Sequence, residues 1–303
     1  MRVSVSVDLD EVHHYRAIHG LTADEPRGEV YARALPRLAD WARQRGIPLT
    51  WFIVGRDLAS PGNAEAVSRL ASAGDELACH SLSHHYDLTR RSFAEMRQEV
   101  EQGITAIEGP TGAKVRGFRA PGYVVTDTLL TLLRESGLAY DSSVFPCPAY
   151  YALKAAALAA VAARRQESKA VLDVPEVMRA PTSPYRVGQP YWFRGTGIWE
   201  IPIQVTPKAR LPFIGTALTM AGTFGARLLA RSLLGEPLLN LELHGIDALD
   251  ERDGLSELAS RQRDLRIPWT KKLDAIDAAV CYLRDKGYSY VRMDELAAHA
   301  ASQ

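Results

Sequence analysis

The chain has 303 residues, enough for one α/β barrel or two smaller domains, so length alone leaves the domain count open. Lysine plus arginine and aspartate plus glutamate each number 36, so no net field points to nucleic acid as a partner, and a neutral or lipid-linked substrate fits better. The three cysteines, Cys79, Cys147 and Cys281, form no CxxC pair and read as free thiols of a reducing compartment.

At the N-terminus the chain enters a strand pattern directly, with no export signal, and a cytoplasmic location is expected. Residues 3–9 alternate and are rich in valine, residues 30–45 carry apolar side chains at helical spacing, and residues 48–54 return to strand character. A helix is predicted at 64–73, a short strand at 76–79 and a longer amphipathic helix at 92–108. Further strands are predicted at 114–118, 139–142, 199–205 and 238–243, with a helix at 127–136. An irregular insertion at about 145–199, with six prolines, is expected as loops over the sheet, and its alanine-rich part, 151–165, could be helical. Residues 211–226 carry no charge for 16 positions, but Pro212, Gly215, Gly222 and Gly225 interrupt them and they fall short of the ~20 residues that span a bilayer. A buried core helix is the expectation there. A helix at 269–286, stopped by Gly287, and a strand at 288–293 end the series. Alternating strands and helices indicate an α/β protein built on a parallel sheet or barrel, and the lack of repeats or linkers favours a single domain.

Five segments at or just past predicted strand ends hold polar side chains that packing does not require, and strand ends on one rim of a barrel are where catalytic groups gather. Asp8 and Asp10 close the first strand, where positions i and i+2 share a face, although a strand-end Asp is also an ordinary turn former. Glu11 could replace Asp10 if the strand ran one residue further. His80 and His84 would meet one metal ion if the backbone turns helically there, and with one carboxylate they leave positions open for water and substrate. Isolated HxxxH pairs are common; His13, His14, His19 and His85 are alternatives, read as surface or substrate-loop residues. Arg119 can hold a carboxylate in a fixed fork, with Asp8 the natural partner and any barrel carboxylate the alternative. Pro121 and Gly122 fix a turn, and the backbone N–H of Tyr123 or its neighbour could polarise a substrate carbonyl. Asp141 and Ser142 would line the groove or form a turn. His244, placed across the metal from Asp8, could protonate a departing amine, with Asp247, Asp250 or Asp294 raising its pKa.

Together, Asp8-Leu9-Asp10, His80-Ser81-Leu82-Ser83-His84, Arg119-Ala120-Pro121-Gly122, Tyr140-Asp141-Ser142-Ser143 and Leu243-His244 resemble the five ordered motifs of the polysaccharide deacetylase family, also called the NodB-homology or carbohydrate esterase 4 group. The resemblance implies a distorted (β/α)7-type, TIM-like barrel and one catalytic domain over 1–303. It also implies a divalent metal, usually zinc, and hydrolysis of an N-acetyl or N-formyl group on an amino sugar or glycan. It assigns Asp8 as base, Asp10, His80 and His84 as metal ligands, Arg119 as the residue that orients Asp8, and His244 as acid. Leu9 separates two aspartates that are adjacent in the commonest family pattern, a spacing similar to an intracellular-type branch and to allantoinase-like members that open cyclic amides. A ring-opening amidohydrolase and a non-catalytic glycan-binding relative are therefore the rival functions. Peripheral contact with the inner membrane face, to meet a lipid-linked sugar, is a secondary expectation from residues 211–226.

Overall fold

The computed structural model describes residues 1–18, 28–163 and 171–302. Strand β1 (Arg2–Asp8) sets the pattern of the fold, because its Val-Ser alternation sends Val3, Val5 and Val7 to one face and Ser4, Ser6 and Asp8 to the other. Both faces are buried, as a central parallel strand requires. The valines join the main apolar core, whereas the serines and Asp8 look onto a polar interior.

On one side of β1 follow β2 (Leu49–Ile53), β3 (Glu76–Cys79), β4 (Gly117–Phe118) and β5 (Tyr140–Asp141), all parallel. Strand β6 (Tyr185–Val187) lies antiparallel to β7 (Arg194–Glu200), which is parallel to β5, and β8 (Leu238–His244) flanks the other side of β1. Strand β9 (Ser289–Tyr290) pairs with Arg2 and Val3. The order β6-β7-β5-β4-β3-β2-β1-β8 leaves a gap between β7 and β8, so the sheet is a curled half-barrel, parallel except at β6. Asn240 on β8 spans the gap, with Nδ2 donating to Ser142 Oγ at 3.0 Å and to the carbonyls of Pro202 and Ile201 at 3.1 and 3.3 Å.

Helices Leu35–Gln44, Pro61–Ser72, Phe93–Thr111, Asp127–Glu135 and Trp269–Asp285 lie where their apolar spacing predicts them. Three expectations need correction. The insertion at 145–199 carries the helix anticipated in its alanine-rich part, Pro148–Ala163, but also, where loops were expected, the β6–β7 hairpin that extends the sheet. The strand expected at 199–205 ends at Glu200, since Pro202 has no N–H for a ladder. Residues 211–226 do not form a core helix. Helix Gly215–Ser232 lies on the surface along Trp269–Asp285, burying Leu218, Ala226 and Ala230 and leaving Phe224 75% exposed. No helix among the described residues is long and apolar enough to cross a membrane.

Candidate active site

Parallel strands bring their C-terminal ends to one rim, and the register makes neighbours of particular residues. Asp8 pairs with His244, and Cys79 with Phe118, so His80 and Arg119 leave adjacent strands at the same level.

His80 and His84 converge without a helix. Ser81 and His84 take left-handed backbone angles, φ 64° and 53°, and turn both rings inward, a local strain typical of functional loops. The neighbouring helix Phe93–Thr111 holds this loop: Leu82 N–H donates to the Glu99 carbonyl at 2.9 Å and Ser83 N–H to the Glu99 carboxylate at 2.8 Å. Nε2 of each histidine stands 3.2 Å from Asp10 Oδ1, and the two nitrogens are 3.1 Å apart. His80 Nδ1 lies 2.7 Å from the Arg119 carbonyl, so the ring hydrogen belongs on Nδ1. In the neutral ring Nε2 is then a lone pair facing an imidazole nitrogen and a carboxylate oxygen. A cation, or a hydrogen carried on one of the facing Nε2 atoms, has to separate these atoms. Metal–ligand bonds of about 2.0–2.1 Å at tetrahedral angles separate ligand atoms by about 3.3–3.4 Å, so this donor set fits a divalent ion. All three side chains are buried, and although burial opposes charge on Asp10, His84 and His80 hold its pKa well below the usual carboxylate range.

Asp8 sits beside this cluster in the grip of Arg119. The guanidinium, fully buried over the Phe52 ring, donates to Asp8 Oδ1 at 2.5 Å, to the Ser142 carbonyl and Oγ at 2.8 Å each, and to Ser6 Oγ at 3.1 Å. Asp8 Oδ2 is buried with no hydrogen-bond partner, 3.8 Å from His80 Nε2 and 3.9 Å from His244 Nε2. Burial raises the Asp8 pKa more than Arg119, His80 and His244 lower it.

The partner of His244 is Glu242, which the sequence reading missed. Its Oε1 lies 2.9 Å from His244 Nδ1 and accepts from the Tyr123 hydroxyl at 2.8 Å, while that hydroxyl stands 2.9 Å from His244 Nε2. Both ring nitrogens therefore face acceptors, as an imidazolium needs. Burial alone would lower the His244 pKa, but Glu242, with Asp8 and Asp10, holds it well above its ordinary value. The signal was available, because positions i and i+2 of a strand share a face, the same argument that joins Asp8 to Asp10. Asp247 accepts from the His244 backbone N–H at 2.9 Å, Asp250 from Trp269 N–H at 3.0 Å, and Asp294 pairs with Arg292.

Other expected residues lie elsewhere. Asp141 is fully buried against Ser143 and Glu200, and Ser142 is fully buried against Arg119 and Ile201, so they brace the interior rather than line a groove. The Tyr123 N–H donates to the Ala120 carbonyl at 3.0 Å inside the Pro121–Tyr123 turn and is not free for substrate; the Tyr123 hydroxyl faces the site instead. Pro121 is buried, and Gly122 lies under Tyr86, with its carbonyl accepting from Lys154 Nζ at 2.8 Å. Glu11 accepts from the N–H groups of Val12, Val30 and Tyr31 and so is a cap, not a replacement for Asp10. His85 lies 3.6 Å from Glu99, and His19 lies outside the described residues.

Two residues close over the rim from the short helix Val12–Ile18: His14, expected as a surface or substrate-loop residue, and Tyr15, which had no role assigned. The His14 ring lies 4.4 Å from the His84 ring, tilted by 48°, and burial together with His84 pushes its pKa down to about 2, so it stays neutral. The Tyr15 ring meets His244 edge-on at 6.3 Å, and its hydroxyl is buried without a partner. A cavity of about 740 Å³, within the usual range for ligand clefts, opens on the far side of Glu11 and is lined by Glu11, His13, Tyr31, Arg56, Asp57 and Asn63; Asp8, Asp10, His80, His84 and His244 do not line it.

The family model described as polysaccharide deacetylase matches residues 19–140, the stretch that carries the two histidines and Arg119. Over that stretch the chain is similar to the polysaccharide deacetylase family. Among curated relatives, a peptidoglycan deacetylase-like protein of Gibberella zeae is 29% identical over 155 residues, covering 48% of this chain and 44% of the relative. A chitooligosaccharide deacetylase of Sinorhizobium fredii is 28% identical over 120 residues, covering 39% of this chain and 53% of the relative. The chain thus matches about half the length of these two relatives. A solved structure assigned to the polysaccharide deacetylases, from Mycobacterium smegmatis, aligns over 100% of this chain and 90% of its own with a TM-score of 0.62 at 18% identity. At that identity the likeness shows the fold, and it agrees with the distorted barrel that the resemblance implied.

Proposed function

We propose that this chain is a member of the polysaccharide deacetylase family and a metal-dependent hydrolase that removes an acetyl or formyl group from the nitrogen of an amino sugar or glycan. The observation that carries the reading is the convergence of Asp10, His80 and His84, three buried side chains able to share one metal ion, beside an Asp8 oxygen with no partner of its own. The two-histidine, one-carboxylate donor set suits zinc. A divalent ion held there supplies the positive charge that polarises an amide carbonyl and acidifies water. Asp8, oriented by Arg119, takes the proton from the attacking water through its free Oδ2. His244, kept protonated by Glu242, donates to the leaving nitrogen. Tyr15, whose hydroxyl is buried without a partner, is placed to donate to the oxyanion in place of the Tyr123 N–H.

The test is metal analysis of the purified protein, followed by assay of acetate and formate release from a panel of N-acyl sugars and glycans. Near-stoichiometric zinc and release that stops on chelation are expected. Turnover that survives thorough chelation, or a metal-loaded protein that releases neither acid from any member of the panel, would overturn the reading.

A further inference from the structure

The geometry points to a membrane-docking face on helix Gly215–Ser232, for which the partner is an anionic lipid bilayer. Among the described residues ten large apolar side chains are exposed, and five of them, Leu211, Met220, Phe224, Leu228 and Leu234, fall on this helix and its flanks. The helix is broken at Gly222, where φ is 65° and ψ 179°; Phe224 and Leu228, four residues apart after the break, are 75% and 49% exposed, and Met220 before it is 55% exposed, far beyond what a packed surface helix needs. The charge is as one-sided as the apolarity. Residues 206–235 contain Lys208, Arg210, Arg227 and Arg231 and no acid, in a chain whose charges balance overall. Lys208, Arg227 and Arg231 are exposed, and among the described residues none of them makes an ion pair. Apolar side chains interleaved with unpaired cations are the pattern of an interfacial helix on anionic lipid.

The same charges disfavour a second copy of this chain as the occupant. A two-fold interface sets a patch against itself, and here it would bring Arg227 and Arg231 of both copies together with no acid in the segment to separate them. The N-terminal end of the helix adjoins the active-site rim: Ile214 bridges to Glu242, and Gly215 lies tight against Asp247, which holds the His244 backbone. The inference stands whether or not the chain hydrolyses an amide.

The test is co-sedimentation of the full chain with vesicles of phosphatidylcholine alone and of phosphatidylcholine with phosphatidylglycerol. Partitioning is expected to need the anionic lipid and to weaken as salt rises. Phe224→Ser with Leu228→Ser should lower the partition coefficient about tenfold or more, and Arg227→Gln with Arg231→Gln should do the same. Both double variants should keep the wild-type thermal transition, because these side chains stand in solvent. Absence of binding to anionic vesicles, or variants that bind like wild type, would overturn the proposal. So would a concentration-dependent dimer in sedimentation velocity that the Phe224/Leu228 variant abolishes, which would assign the face to a second copy.

Discussion

At the scale of single residues, the site separates two acid–base roles by environment. Asp8→Asn keeps the shape of the side chain and its contact with Arg119 while removing the proton acceptor. It should retain the metal content of wild type and lose about 10²- to 10⁴-fold in kcat, read by metal analysis and single-turnover release of acid. Normal turnover in that variant would remove Asp8 from the base role. Glu242→Gln tests the acid. His244 is held above its ordinary pKa, so the protonated form needed to donate is fully present at low pH and is lost as pH rises through the raised value. Removing the Glu242 charge lets burial pull that value down, so the alkaline limb of the kcat profile should move to lower pH; an unmoved limb would show that Glu242 does not set the acid. Asp8, Asp10, His80, His84, Arg119 and His244 were legible in the sequence because each is a polar residue at a strand end with little reason to be there for packing. Glu242 was passed over inside an alternating strand, and Tyr15 looks like an ordinary amphipathic tyrosine until its hydroxyl is found buried and unpaired.

At the scale of elements, the helix Phe93–Thr111 is the device that shapes the histidine loop. Gly103 on that helix is within reach of the loop itself: a Cβ there would stand 2.9 Å from Cys79 Sγ and from the Ser81 carbonyl carbon, and 3.0 Å from Leu82 N. Two of those contacts are backbone, which cannot swing aside. Gly103→Ala should therefore displace residues 81–82, cost about 1–3 kcal/mol in denaturant unfolding and weaken metal affinity, measured by competition with a chromogenic chelator. Unchanged affinity in a destabilised variant would mean that the loop is not set from this side. The strands and most helices were legible because valine alternation and apolar spacing follow strand and helix periods. The turn of residues 80–84 was not, since HxxxH spacing suggests a helix and the left-handed angles of Ser81 and His84 leave no mark in composition. Likewise residues 211–226 read as core because hydropathy reports apolar content and not which side of a helix finds a partner.

At the scale of the whole molecule, the metal site links stability to ion and proton together. Four groups from β1 and the loop after β3, Asp8, Asp10, His80 and His84, are buried within hydrogen-bonding or near-contact distance of one another, so the folded chain without metal concentrates acceptors that the unfolded chain disperses. A cation that binds only the folded state adds RT ln(1 + [L]/Kd), about 2.7 kcal/mol at a hundredfold excess over Kd. Burial opposes a proton on His80, but Asp10 and Asp8 outweigh it and raise its pKa, so in the metal-free protein a proton partly fills the role of the ion. The stability that proton contributes is fully present below the ordinary histidine value and is lost as pH rises through the raised one. Metal must displace the same proton, so its own contribution grows over that interval. The rise in Tm on adding zinc should accordingly be small at acid pH and widen as pH climbs through neutrality. It should vanish in Asp10→Asn, which keeps the size of the side chain but not its charge. A zinc-induced rise of equal size at every pH, or one that survives loss of the Asp10 charge, would place the ion somewhere other than between these strands.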